Sequence, residues 1–218
     1  RYYAKRSNKK TLLVIKNIKL VLLDLDGVIF DTKKNMHISW MKVQKEFNIK
    51  KNFNSYFKYI GMPFTKILKK LSINTHLNEI QSVYQKESIR HFNKIKMYKG
   101  VKQTLRKLDK KKIIVGVVTS KDKFRTLKLI KKFRLNIKYI VSPSKQLRGK
   151  PFPDQLLTAI KLAKISYSKT IYLGDMLVDY KAAKNSKINF IHAKYGYGKN
   201  YSYYKYSINK FNDLIKFL

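Results

Sequence analysis

Five short apolar runs, rich in β-branched residues, punctuate the chain: 20–23 (LVLL), 113–118 (IIVGVV), 139–141 (YIV), 171–173 (IYL) and 188–191 (INFI). Each predicts a buried strand. The last four alternate with stretches of helical period. Phe124, Leu127, Ile130 and Phe133 form one stripe, and Leu156, Leu157, Ile160 and Ala163 another. Both stripes predict helices packed on a sheet, and the alternation predicts a parallel α/β sheet of about five strands.

The interval between the first and second runs is different, because about 85 residues is far more than a crossover helix requires. Met36, Trp40, Val43 and Phe47 recur at helical spacing, then Phe64, Ile67, Leu68 and Leu71, then more weakly Ile80, Val83 and Tyr84. These predict a helical insertion over 34–97. It interrupts an α/β core of 18–33 and 98–218, with 1–17 a tail or a linker from something upstream. An insertion at the carboxyl end of a strand lies over the crevice where open α/β sheets bind ligands, which makes it a candidate lid.

Composition narrows the class. The chain has 218 residues, 44% hydrophobic and 13% aromatic, enough for one core plus a small inserted domain. It has no cysteine, which excludes disulfides and thiolate metal sites and fits a reducing interior. Lys16 and Lys19 break the apolar start and no small-residue cleavage site follows. Neither a signal peptide nor a membrane span is expected, and the expected location is cytoplasmic. The charge of +38 invites a nucleic-acid function, but 43 of the 50 basic residues are Lys and they run along the whole chain beside Ile, Asn, Tyr and Phe. AT-rich coding alone suffices for that pattern. The expectation is weak, salt-sensitive polyanion binding with no dedicated nucleic-acid role.

The 12 acidic residues are scarce enough for their placement to carry information. Six of them fall in motifs that follow predicted strands: Asp24, Asp26 and Asp31 in "DLDGVIFDT", Asp154 in "RGKPFPD", and Asp175 and Asp179 in "LGDMLVD". Thr119 and Ser120 end the second run, and Lys150 precedes Asp154. Strand ends along one edge of a parallel sheet converge, so these residues would line one pocket. Asp24, Asp26, Asp175 and Asp179 crowded together would raise one another's pKa unless a cation sat among them. An all-oxygen site of that kind suits Mg²⁺. Thr119 offers a hydroxyl donor and Lys150 a point charge for phosphoryl oxygens.

The order DxDGVxxDT, TS, GKPxPD, GDxxxD resembles the haloacid dehalogenase-like hydrolases, in the helical-cap branch near phosphoglycolate phosphatase and β-phosphoglucomutase. The resemblance spans about 19–215, including "YGYG" at 195–198. It implies a Rossmann-like three-layer core with an inserted α-helical cap, and phosphatase activity on a small phosphorylated metabolite, either a sugar phosphate or a phosphoglycolate-like acid. By the same resemblance Asp24 is the nucleophile that becomes phosphoaspartate, and Asp26 protonates the leaving oxygen and then activates water. Mg²⁺ would be held by Asp24, the Asp26 carbonyl and Asp175, with Asp179 acting through water or as an outer partner. Thr119, the Ser120 amide and Lys150 would hold the phosphoryl group. The loop "YIGMPFTKIL" (59–68), with Gly61, would face the substrate.

Several residues also have plainer readings. Asp-Gly is a turn signal, Asp31 suits a loop-orienting role under the cap, and Asp154 suits a helix N-cap. Asp179 suits a first helical turn, "GYG" a turn, and Trp40 the core of the cap. The four histidines show no ligand spacing. The resemblance also tests a sugar phosphomutase. That pattern wants a histidine four residues after Thr32 and an arginine three after Gly61, where this chain has Met36 and Phe64. Hydrolysis is therefore the expected reaction. A basic nucleic-acid-binding module, a phosphatase of nucleic-acid ends and an inactive interaction domain fit the motifs less well.

Overall fold

The structure is a computed structural model that describes residue 15 and residues 17–218. Its main sheet contains β1 (Leu20–Leu23), β4 (Ile114–Val118), β5 (Tyr139–Val141), β6 (Thr170–Gly174), β7 (Asn189–Ala193) and β8 (Tyr206–Ile208). All six pair in parallel in the order β5-β4-β1-β6-β7-β8. Two further strands, β2 (Phe30–Asp31) and β3 (Lys96–Met97), form an antiparallel ribbon.

The strand Tyr206–Ile208 lies beyond the five expected. It comes from a tyrosine-rich segment with no aliphatic run, and it adds to the sheet at the edge, where pairing on one side suffices. On one face α5 (Val101–Lys110), α6 (Lys123–Lys132) and a C-terminal 3₁₀ segment (Phe211–Phe217) cover a core that includes Val21, Leu23, Val117 and Phe211. On the other, α7 (Asp154–Ala163) and α8 (Leu177–Asn185) cover Leu22, Tyr172 and Phe190. The result is the expected three-layer α/β core. Within 1–17, Ile15 is described and is buried against that core; residues 1–14 and Lys16 lie outside the described residues.

One expected stripe is corrected. On α6, Phe124 and Leu127 are 58% and 46% exposed, while Arg125, Thr126, Leu129 and Ile130 are buried. Asp122 caps this helix, accepting from the Arg125 amide at 2.9 Å. That start turns Arg125 inward and Phe124 outward.

Between β2 and β3 lie α1 (Lys33–Glu46), α2 (Phe53–Phe57), α3 (Phe64–Lys70) and α4 (Leu77–Arg90). They enclose a core of their own around Trp40, which stacks on Tyr56 at 4.5 Å between ring centroids. Helix α2 had no sequence expectation, because at five residues it is too short to show a period. Buried Asn35 on α1 donates to the Ser88 carbonyl at 2.8 Å and accepts from the Ser88 hydroxyl at 2.8 Å, tying the first and last helices of the insertion together. Among the described residues no helix is long and apolar enough to cross a membrane.

Candidate active site

Register delivers the site. Leu23 on β1 stands level with Val117 on β4 and Leu173 on β6. The residues just past these strands, Asp24, Thr119 and Asp175, therefore emerge side by side. The chain runs from β1 outward to β4 and β5, then returns to β6 on the other side of β1. That reversal of direction opens the crevice where doubly wound sheets bind ligands. Lys150 enters it from the connection between β5 and α7.

Lys150 is fully buried, and its Nζ donates to Asp24 Oδ1 at 2.8 Å, Asp179 Oδ1 at 2.6 Å and the Tyr172 hydroxyl at 3.2 Å. An ammonium out of water is tolerable only when its charge and donors are matched in this way. Burial opposes the charged form, but the attraction of Asp179 and then Asp24 outweighs it and holds Lys150 above the ordinary lysine range. Asp179 is spent on its own neighbourhood. Its Oδ2 accepts from the amides of Asp175 at 3.2 Å and Met176 at 2.9 Å, closing the turn into α8.

Asp24 keeps one oxygen beyond its bond to Lys150. Burial pushes its carboxyl from 3.8 to about 7, Lys150 pulling against this and Asp179 and Asp26 adding to it. Burial, with Asp179 and Asp24, also pushes Asp175 well above the carboxylate range. Asp175 Oδ2 accepts from the Tyr197 amide at 2.6 Å, whereas its buried Oδ1 has no hydrogen-bond partner among the described residues. The backbone packs close around this carboxylate. A Cβ at Gly27, held at φ +84°, or at Gly196 would run into it. The "GYG" segment is thus a clasp on Asp175 as well as a turn. Buried His192 adds a contact of 3.1 Å between Nε2 and the Asp175 carbonyl.

Asp24, Asp175 and Asp179 each offer an oxygen within 4.8 Å of the others. This donor set, with an orphaned buried carboxylate oxygen in it, fits a hard divalent cation.

Above the aspartates lies a cavity of about 50 Å³. Asp24, Asp26, Thr119, Ser120 and Lys150 line its floor, and Met36, Tyr56, Gly61, Phe64 and Tyr84 of the insertion line its roof. Thr119 Oγ1 accepts from the Lys121 amide at 3.1 Å, so its own proton remains available to donate. The Ser120 hydroxyl donates to the Gly61 carbonyl at 2.6 Å, joining floor to roof. Gly61 thus lies on the cavity wall with its carbonyl engaged.

The Asp26 side chain stands apart from the acidic cluster and pairs through Oδ2 with Lys121 Nζ at 3.2 Å. Lys121 and Arg125, both buried and both lining the cavity, had no sequence expectation. Their one signal was position, directly after "TS" in "TSKDKFR". Burial draws Lys121 below the ordinary lysine range against the pull of Asp26.

Two acidic residues settle into structural contacts. Pro153, not Asp154, occupies the N-cap of α7, and Asp154 accepts from Arg148 Nε at 3.0 Å and Nη2 at 2.9 Å, bracing the loop that carries Lys150. Asp31 Oδ1 accepts from the Lys33 amide at 3.2 Å and from the Tyr197 hydroxyl at 3.2 Å.

The haloacid dehalogenase-like hydrolase family profile matches residues 21–193. A phosphoglycolate phosphatase of Aquifex aeolicus is 24% identical over 206 residues, covering 92% of this chain and 97% of its own. Pyrophosphatase PpaX of Halalkalibacterium halodurans is 27% identical over 175 residues, covering 78% and 81%. A hydrolase of solved structure from Pseudomonas syringae superposes with a TM-score of 0.81 at 23% identity, covering 91% and 96%.

Proposed function

This chain belongs to the haloacid dehalogenase-like hydrolases and is a phosphatase of their phosphoglycolate phosphatase-like branch, and we propose that it hydrolyses a small phosphorylated metabolite through a phosphoaspartyl group on Asp24. The observation that carries this reading is the pairing of Asp24 Oδ1 with the buried Lys150, at 2.8 Å. It fixes one oxygen of the carboxylate and leaves the other for attack.

The residues divide the work as follows. Asp24 attacks phosphorus through its free oxygen as the bond from phosphorus to the leaving oxygen breaks. Asp26 passes its proton to that leaving oxygen. Asp26 then takes a proton from water, whose oxygen attacks the phosphorus, and the P–O bond to Asp24 breaks to regenerate the carboxylate. Thr119, the Ser120 amide and the charge of Lys150 face the phosphoryl oxygens. Asp24, the Asp26 carbonyl and Asp175 would hold Mg²⁺, with Asp179 positioning Lys150 and the Asp175 turn. Bound there, Mg²⁺ would supply Lewis-acid shielding of the phosphoryl charge.

The places of Met36 and Phe64 on the cavity wall support hydrolysis over phosphomutase chemistry. They put apolar side chains where the mutase pattern wants an imidazole and a guanidinium. The test is phosphate release from a generic aryl phosphate. It should require Mg²⁺, and Asp24→Asn should lower it by at least about 10⁴-fold while far-UV circular dichroism stays unchanged. Full activity in Asp24→Asn would exclude Asp24 as the nucleophile.

A further inference from the structure

Two cations in the cavity take no part in the steps above. Arg125 reaches it from α6, with its side chain only 7% exposed. Its Nε is tied to Asp122 Oδ2, the carboxylate that also caps the helix, and its Cζ lies 5.5 Å from the centre of the Tyr84 ring. The guanidinium is therefore held in place on two sides. Its Nη1 is buried and has no hydrogen-bond partner among the described residues. Lys121, 4% exposed at its side chain, has Asp26 Oδ2 as the one ion-pair partner of its ammonium among the described residues. Donors on a full positive charge, buried and unspent in the wall of a small cavity, call for an anionic acceptor. The phosphoryl group has its own donors at Thr119, Ser120 and Lys150. Arg125 lines the cavity beside Tyr84 of the insertion, and Lys121 lines it beside Asp26.

We propose that Arg125, assisted by Lys121, is the specificity determinant that receives a second anionic group, carboxylate or phosphate, on the leaving group of a short phosphate ester or anhydride. The inference rests on the phosphatase reading above and narrows it. Met36, Tyr56, Phe64 and Tyr84 of the insertion roof the cavity and bound the space left for the leaving group. The second anion would pair with the guanidinium of Arg125 and give Lys121 a partner besides Asp26. An uncharged leaving group of equal size would leave the guanidinium unpaired.

The experiment compares kcat/KM for three probes: phosphoglycolate, inorganic pyrophosphate and 2-hydroxyethyl phosphate, with a generic aryl phosphate alongside. The wild-type protein should favour one of the two probes with an anionic leaving group over 2-hydroxyethyl phosphate by about 100-fold or more, as expected where a buried donor would otherwise go unpaired. Preference for phosphoglycolate assigns the second group as carboxylate, and preference for pyrophosphate assigns it as phosphate. Arg125→Gln should shrink that preference by about 10-fold or more, chiefly through KM, and Arg125→Lys should restore part of it. Equal or better hydrolysis of 2-hydroxyethyl phosphate by the wild type overturns the proposal and leaves the phosphatase reading standing; this arm needs no variant to fold. A preference unchanged in a folded Arg125→Gln protein overturns it as well. No Mg²⁺-dependent phosphate release from any of the four probes overturns the phosphatase reading and the proposal with it.

Discussion

The floor and the roof of the cavity are built on opposite principles. On the floor, Lys150 joins Asp24 to Asp179 at 2.8 and 2.6 Å, Asp179 is locked to two amides, and Asp175 is clasped by the Tyr197 amide. Position there is set by β-register and charge. On the roof, Trp40 lies flat on Tyr56, whose hydroxyl meets that of Tyr84 at 2.9 Å, beside Met36 and Phe64. Position there is set by packing. A charged floor can hold and transfer a phosphoryl group, whereas an aromatic roof can only exclude water and limit size. Selectivity for charge must then come from between them, and that is where Lys121 and Arg125 lie.

The two principles should fail differently. The largest effect is expected on the floor. Lys150→Met leaves Asp24 and Asp179 buried without their cation, and breaking such a pair costs about 3–5 kcal/mol. It should also lower aryl phosphatase activity by about 10³-fold, read in the same preparation by urea unfolding and phosphate release. On the roof, Trp40→Ala removes the largest fully buried side chain of the insertion. It should destabilise by about 3–5 kcal/mol, yet lower kcat on an aryl phosphate far less than Lys150→Met does. Equal activity losses in the two variants would erase the distinction.

The smallest effect concerns pH. Asp24 is raised from 3.8 to about 7 when folded, so its folded carboxyl holds its proton more tightly than the unfolded one. Its contribution to stability is full below 3.8 and is lost as pH rises through about 7. Chelator-treated protein should therefore lose melting temperature over that window. Asp24→Asn should flatten the slope, and Mg²⁺ should protect the wild type more at the alkaline end. A chelated wild type with the same pH slope as Asp24→Asn would remove Asp24 as its source.

Much of the floor could be read in advance because carboxylates are rare in this chain. Asp24, Asp175 and Lys150 were marked by motifs at strand ends, and all three converge. Lys121 and Arg125 escaped because they are two among 50 basic residues, and a cation's burial leaves no local trace. The misread stripe on α6 has a related cause. Phe124 and Leu127 share a helical face with Ile130, but with Asp122 capping the helix and Arg125 turned into the cavity, the first two are left in solvent and only Ile130 reaches the core. The strand Tyr206–Ile208 and the helix Phe53–Phe57 are too short to show a period and exist through their neighbours.

From the sequence alone follow the alternation of strand and helix, the long helical interruption, and the placing of six carboxylates in motifs after strands. All of these are local, set by periodicity and by turns. Which carboxylate meets which partner is not local. It follows from β1 lying between β4 and β6, so that three strand ends meet at one reversal of direction. Only the assembled sheet could put Lys150 between Asp24 and Asp179, close the "GYG" clasp on Asp175, and leave one guanidinium nitrogen of Arg125 buried without a partner among the described residues.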